Sequence, residues 1–512
     1  MSRFGNQFFA RLAVICSFSY FFILYSFSGF RAYNDFQVQN FDYGINYQST
    51  QLLARRALTY LTVRGDFALA DNQKYFQVFV APLHYLSAPH YWLIGAYSFG
   101  ILLSGLALLL FFPNRIWLGL SLSIFFWMSP FLINMNADLM HIECFATLWI
   151  VLMGWSMKDN HPKLFYLFLF MALLCKEDIA IYCGALAIAG ILTKKLFRLQ
   201  KKHYYIAIGL SLAMFFTNLL VVLPHYKLLS CAHLGQTSQA IGSFKTVTPS
   251  CPWFQGFYEK IGHLQFWQSI FLRKSVFNYI ALIFWPVLPF IFSLPFLVLA
   301  VFAPALVNIL SSSEYLISGF FHYDHSTMAL IGLTLAMALS RSSSPRIIIA
   351  YLFLGTFVNY NILTMPHSPL KVAIRAQLSE PFSKSFWHSE TSSKVKMLEN
   401  LNQKIPTDTI IAADYVSLNY LLPGHDQVYM LPNPFSPSYF GVYGMCERPA
   451  QIPFPDLIVA KSGTDLNKID PQILKQQYLQ KEILVPDENY KFIIYIRKNS
   501  TVKNLFSWFE NI

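Results

Sequence analysis

The chain has 512 residues, of which 55% are hydrophobic and only 12% charged, with a net charge of +12 and a mean hydropathy of +0.42. Soluble domains carry about 25% charged residues, so this composition excludes an ordinary soluble protein. It points to a mainly α-helical polytopic membrane protein, with 17% aromatic residues available as anchors at the lipid–water boundary.

The first apolar stretch, "LAVICSFSYFFILYSF", follows Arg3 and Arg11. It is longer than the apolar region of a secretory signal, and "SFSGFRAYND" is a poor cleavage site. It is read as an uncleaved first span, 11–30. Directly after it, "NDFQVQNFDYGINYQ" (34–48) places Asp35 and Asp42 at the mouth of that span. The stretch 49–91 completes a first outer loop, 31–91, with Arg55, Arg56 and Arg64 near headgroup level.

About eleven spans are expected, because a bilayer core needs roughly 20 helical residues and apolar runs of about 18 or more qualify. After 11–30 they are 92–112, 116–133, 142–157, 163–176, 179–193, 204–224, 276–290, 291–309, 325–340 and 346–364. With the N-terminus cytoplasmic, the inner loops are "PNR", "SMKDNHPK", "TKKLFRLQKKHYY" and "SRSSSPR", which satisfies the positive-inside rule. Of the acids in this part, only Asp159 then lies inside. Every other one falls in an outer loop or at the outer end of a span. Charge in a bilayer is expensive and marks function; the plain alternative is loop solvation, since basic residues sorting inward leave acids outside by default.

Three segments bring polar groups to that level. "NADLMHIECF" opens the fourth span; on a helix Asp138 and His141 share a face, and Glu143 is turned away from His141. "CKEDIA" puts Lys176, Glu177 and Asp178 at a turn between two spans. "EYLISGFFHYDH" offers Glu314, His322, Tyr323, Asp324 and His325 before the tenth span. Imidazole and carboxylate are common metal ligands, so a divalent metal is conceivable, although no ligand spacing is diagnostic. For His141 the alternative is a helix-end histidine bonded to a backbone carbonyl. The outer loop 225–275 holds Cys231 and Cys251, which would form a disulfide if that face is oxidising.

Residues 1–364 thus form the membrane part and 365–384 a linker. From 385 to 512 the pattern changes. "SSKVKMLENLNQKIP" reads as an amphipathic helix; "TIIAAD", "QVYML", "DLIVA" and "KFIIYIR" read as short buried strands; "PQILKQQYLQKEIL" reads as another helix. Alternating strands and helices suggest a small extracytoplasmic α/β domain. No zinc spacing, P-loop or dinucleotide fingerprint occurs, and no nucleic-acid partner is expected.

"FDYGINYQ", "LMHIE", "KEDIA" and "FHY", in this order and at these depths, resemble the bacterial membrane family called domain of unknown function 2079. The resemblance covers about residues 31 to 340. That family is similar to GT-C integral-membrane glycosyltransferases, which have many spans, a long first outer loop and an acid just after the first span. They take sugars from polyprenyl-phosphate carriers. The resemblance maps the first-loop acid onto Asp42, the charged turn onto Lys176, Glu177 and Asp178, and the outer histidines onto His141 and His322. The chain departs from the family pattern at Tyr47, where a second acid is usual, and near Asn72, where a histidine is usual.

It implies an enzyme in the cell (inner) membrane that moves a sugar from a polyprenyl-phosphate carrier to an envelope glycan or lipid at the outer face. Transfer to a hydroxyl needs a general base; Asp42 is first choice and Asp35 the runner-up. His141, Glu177, Asp178, His322 and Tyr323 would contact the substrate, and Lys176 with Arg55 or Arg56 would hold phosphate. Against this, Asp42 also reads as a turn or helix cap, and Arg55 and Arg56 as interfacial snorkelling residues. Two other functions fit the composition: a lipid-linked sugar transporter or flippase, and a noncatalytic envelope scaffold. A transporter places its polar residues near mid-membrane, whereas here they crowd one end of the spans.

Overall fold

The computed structural model describes residues 3–38, 41–57, 59–64, 66–193, 196–233, 262–310, 317, 324–363, 391–431, 454–461, 466, 469–485 and 490–505. Most of it is helical. Helix α1 (Arg3–Asn34) leads into α2 (Phe41–Ala54). A two-stranded ribbon, β1 (Tyr60–Leu61) with β2 (Asp66–Phe67), follows. Short helices α3 (Ala68–Asp71) and α4 (Gln77–Val80) return the chain to α5 (Pro89–Ala107). Next come α6 (Ile116–Trp127), α7 (Pro130–Ala137), α8 (Cys144–Asp159), α9 (Pro162–Leu173), α10 (Ile179–Leu192), α11 (Lys201–Thr217) and α12 (Leu223–His233). Further helices are Leu264–Phe271, Lys274–Phe284, Pro295–Leu310, His325–Arg341 and Pro345–Leu363.

Proline sets many of these starts. Helices α5, α7, α9, Pro295–Leu310 and Pro345–Leu363 all begin on one, where its missing N–H costs nothing and its fixed φ suits the first turn. Helix α8 ends on Asn160 at φ 58°, whose N–H reaches Ser156, the left-handed stop that a short polar side chain tolerates.

Each of the eleven expected stretches contains a helix, but length and apolarity do not by themselves confirm eleven crossings. Among the described residues three helices are long and apolar enough, Gln7–Asn34, Pro89–Phe111 and Lys201–Tyr226; a fourth is reached if α6 and α7, bent by 54°, count as one span. Several of the others are short on their own: a 12-residue helix such as α9 rises about 18 Å against a hydrocarbon core of roughly 30 Å. Pro130 interrupts the expected span 116–133, and the span expected from residue 142 starts only at Cys144.

The C-terminal part holds a five-stranded mixed sheet in the order β4-β3-β5-β7-β6. Strands β3 (Ile411–Ala413), β4 (Val428–Met430) and β5 (Leu457–Lys461) are parallel, and β7 (Tyr490–Arg497) joins β5 antiparallel. Of the expected helix 471–484, only Pro471–Gln477 is helical; β6 (Tyr478–Val485) pairs with β7 along its whole length. Backbone pairing to a long neighbouring strand overrides a local sequence with equal claim to helix. Ser392 caps the helix Ser393–Lys404, accepting from the Val395 N–H.

Side chains alternate across this sheet. Ile411, Ala413, Leu457, Val459, Phe492 and Ile494 belong to the core cluster that also contains the membrane helices, whereas Ala412, Ile458, Ala460 and Tyr495 pack on Leu474 of the 471–477 helix. The C-terminal part therefore leans on α1 and α2. The Tyr420 hydroxyl donates to the Tyr33 carbonyl at 2.9 Å, Asn419 to Val38 at 3.0 Å, and Gln51 to His425 at 2.9 Å. Gly44 allows this approach: a Cβ there would lie 2.7 Å from Leu418.

Candidate functional site

Helix α2 is unusual in burying polar residues on successive positions. Asn46, Gln48, Ser49, Thr50 and Gln51 are all at most 3% exposed. Each such group must find a partner. The Asn46 amide oxygen accepts from the Lys74 ammonium at 3.3 Å and from Gln77 at 3.1 Å, while Ser49 donates to the Gln77 oxygen at 2.6 Å. Lys74 also lies 3.1 Å from the Glu143 carboxylate, and Lys176 lies 3.3 Å from the same oxygen. Glu143 is fully buried, and Lys74 is 8% exposed.

Glu143 and His141 share the turn between α7 and α8. This turn is not the helix expected from the sequence: Leu139 and Met140 adopt φ of 41° and 61°, so residues 139–143 double back before α8 begins. The turn corrects the expectation that Glu143 faces away from His141. The imidazole Nε2 is 3.2 Å from Asp138, and Nδ1 is 3.8 Å from Glu143. Burial alone would lower the His141 pKa, but the Asp138 charge and hydrogen bond, with those of Glu143, outweigh it and push the group up to about 9. Two carboxylates thus hold the buried His141 toward its charged form.

The α9–α10 turn supplies the remaining groups. Glu177 accepts from the Gln73 N–H at 3.1 Å, and Asp178 accepts from the Tyr182 hydroxyl at 3.1 Å. The Phe76 N–H donates to Leu174 at 2.8 Å, which pins the Lys74 segment to this turn. Burial raises the Glu177 carboxyl to about 7; the Lys176 charge opposes the rise and Asp178 adds to it.

Nearby, Thr147 of α8 donates to the His325 carbonyl at 3.1 Å. The preceding Asp324 is buried, with one oxygen accepting from Tyr279 at 2.6 Å and Asn308 at 3.3 Å; burial pushes its carboxyl up to about 7 against both hydrogen bonds.

Of the candidates named from the sequence, His141, Lys176 and Glu177 come together, and Asp178 flanks them. Asp42 lies in the first turn of α2, one turn before Asn46, whose amide donates to its carbonyl at 2.9 Å. Asp35 is ion-paired with Arg31 at 3.0 Å. Arg55 pairs with Asp426 of the C-terminal part, and Arg56 is exposed at φ 54°. His322, Tyr323 and Cys251 lie outside the described residues. Asn46, Lys74 and Gln77 are not among those candidates; the polar run "NYQSTQ" inside an otherwise apolar chain points to Asn46 alone. Among the described residues, no group of three or more His, Cys, Asp or Glu side chains is placed to hold a metal ion. The acids here face lysine, histidine and amide donors instead.

A search of curated proteins finds no significant match to the chain. Among solved structures, ArnT from Cupriavidus metallidurans bound to undecaprenyl phosphate is similar, with a TM-score of 0.48 at 11% identity, covering 97% of this chain and 99% of that one. The apo form of the same protein gives a TM-score of 0.47 at 11% identity, covering 88% and 93%. The family described as "Predicted membrane protein (DUF2079)" matches residues 32–481, a stretch that takes in α2, the two charged turns and most of the C-terminal sheet. The chain belongs to this family of membrane proteins.

Proposed function

We propose that the protein is a membrane glycosyltransferase that moves a sugar from a polyprenyl-phosphate carrier to a hydroxyl of an envelope glycan or lipid. In this reading the N-terminus is cytoplasmic, the reaction takes place at the outer face of the inner membrane, and the C-terminal α/β part lies on that side. The observation that carries it is the convergence of Lys74, His141, Glu143, Lys176 and Glu177, from three separate segments, at one end of the packed helices.

A lipid-linked sugar keeps its tail in the bilayer and its anomeric carbon at the membrane surface, the depth that this reading assigns to these groups. The acceptor oxygen attacks the anomeric carbon, and the bond from that carbon to the phosphate oxygen breaks with its electron pair leaving on phosphate. The acceptor's proton passes to Asp42. Lys74 and Lys176 neutralise the leaving phosphate, and Glu177 and Asp178 orient the acceptor. Charges at helix ends favour surface chemistry over transport, which needs polar groups near mid-membrane.

The test is Asp42→Asn in the native host and in purified protein given a polyprenyl-phosphate sugar. Loss of the envelope glycan or lipid seen on deletion, with no polyprenyl phosphate released in vitro, is the expected result. Wild-type products in the substituted strain would remove Asp42 from the mechanism.

A further inference from the structure

A buried lysine and a half-buried one, from distant segments, share a single carboxylate oxygen. Lys74 and Lys176 both point at Oε1 of Glu143, at 3.1 and 3.3 Å. Two ammonium groups drawn onto one carboxylate oxygen repel each other and are held together by the anion between them. The space between them is therefore an anion site by construction, whichever anion fills it.

We propose that Lys74 and Lys176 form the seat for the phosphate of an isoprenoid-phosphate lipid, and that Glu143 occupies this seat as an internal counter-anion until the phosphate displaces it. The lipid identity rests on the glycosyltransferase reading above; the anion seat does not.

Three features support displacement over a fixed ion triad. The carboxylate has somewhere to go, because Oε2 already lies 3.8 Å from the His141 Nδ1, a cation that would take over its charge. The turn that presents Glu143 holds Leu139 and Met140 in left-handed conformations, which cost energy in residues with a Cβ and lower the cost of moving it. A neutral amide also lies beside the seat: the Asn46 oxygen accepts from Lys74 at 3.3 Å and from Gln77 at 3.1 Å, so Lys74 keeps a hydrogen-bond partner when Glu143 moves away.

The lipid source follows from helix α4. Gln77 is buried in the polar network, but the next two residues, Val78 and Phe79, are each 54% exposed. A headgroup seated on Lys74 and Lys176 thus has an apolar surface within two residues on which its tail can lie. Free phosphate would gain nothing from that surface.

The experiment uses the full chain in detergent micelles and compares farnesyl phosphate, farnesol and inorganic phosphate by titration and thermal shift. Farnesyl phosphate is expected to bind and farnesol not. Glu143→Gln vacates the charge and is expected to bind farnesyl phosphate at least tenfold more tightly, with its lowered melting temperature restored by that ligand. Lys74→Met and Lys176→Met are each expected to weaken binding at least tenfold.

A folded Glu143→Gln protein that binds farnesyl phosphate no better than wild type would overturn displacement. If that variant does not fold, Glu143→Asp, whose carboxylate is drawn back by one methylene, serves in its place and must also bind more tightly. Farnesol binding as well as farnesyl phosphate would overturn the seat, and inorganic phosphate binding equally well would overturn the lipid assignment. No sugar is involved in these measurements. If tightening is seen while sugar transfer is not, the seat stands and the transferase reading falls.

Discussion

Thr62 and Val428 exchange two hydrogen bonds: the threonine hydroxyl donates to the Val428 carbonyl at 2.7 Å and accepts from its N–H at 3.0 Å. One side chain thereby does what a neighbouring strand would do for β4, an edge strand whose free groups otherwise invite pairing. The same hydroxyl accepts from Gln48 at 2.7 Å, so the polar face of α2 and the C-terminal sheet share one junction. Thr62→Val keeps the shape and removes the hydroxyl. Unmet buried groups cost about 1–3 kcal/mol each, so a loss of about 2 kcal/mol or more in thermal unfolding is expected, with faster proteolysis of the C-terminal sheet. Thr62→Ser should restore both. Unchanged melting of Thr62→Val would mean that the junction contributes no stability.

The lysine pair makes a prediction about additivity. Removing Lys74 alone leaves Glu143 with Lys176, and the reverse holds for Lys176→Met. Removing both takes away both ammonium partners of a fully buried carboxylate and leaves it His141, 3.8 Å away; breaking a buried ion pair costs about 3–5 kcal/mol. The double variant should therefore lose more stability than the two single variants together, measured by denaturation in micelles without ligand. Simple additivity would show that each lysine meets Glu143 independently.

His141 sets a pH dependence. Its pKa is raised from 6.5 to about 9 in the folded protein, with burial working against the rise and Asp138 and Glu143 driving it. A raised histidine contributes stability that is fully present below its unfolded value and is lost as pH climbs through the folded one. Melting temperature should therefore fall between about pH 6.5 and about pH 9, and His141→Asn should flatten that slope. Glu177 acts in an adjoining window: its carboxyl, raised to about 7 by burial, costs folding free energy as pH rises from about 4.5 to about 7 and adds no further slope above that. A melting curve for wild type that is flat from pH 6.5 to 9 would contradict the charged state assigned to His141.

Helix positions and most strands were legible because apolar runs are local signals. The α7–α8 turn was not, since Leu139 and Met140 carry no glycine or asparagine to announce left-handed backbone; reading that segment as helix turned Glu143 the wrong way. Lys74 was missed for a different reason. "DNQKYFQ" looks like solvated loop, and only the packing of the Lys74 segment onto the α9–α10 turn, through the Phe76 and Gln73 N–H groups, carries that lysine into the interior. His141, Lys176 and Glu177 could be found because ionisable residues are scarce in this composition. Tyr478–Val485 was misread because its choice of strand is made by β7 and not by its own residues.

Asp35 lies just beyond the end of α1 and Asp42 at the start of α2, and the proposed mechanism predicts that their variants differ. Asp35 extends the end of α1 and is held by Arg31 four residues earlier, at 3.0 Å. A carboxylate engaged in this way has a structural partner to lose and little freedom to accept a proton from a substrate. Asp42 opens α2 one turn before Asn46, whose amide donates to the Asp42 backbone carbonyl and whose oxygen accepts from Lys74 and Gln77. Asparagine matches aspartate in shape but cannot take up the acceptor's proton. General-base catalysis is worth about 10²–10⁴ in rate, so Asp42→Asn should lower kcat at least a hundredfold while KM for the lipid-linked sugar changes little. Asp35→Asn should stay within a few-fold of wild type. The assay is release of polyprenyl phosphate by purified protein under saturating donor. The reverse ranking would move the base to Asp35 and require the Arg31 pair to open during turnover; equal, small effects from both would place the proton's destination elsewhere in the buried cluster, at Glu177 or Asp178.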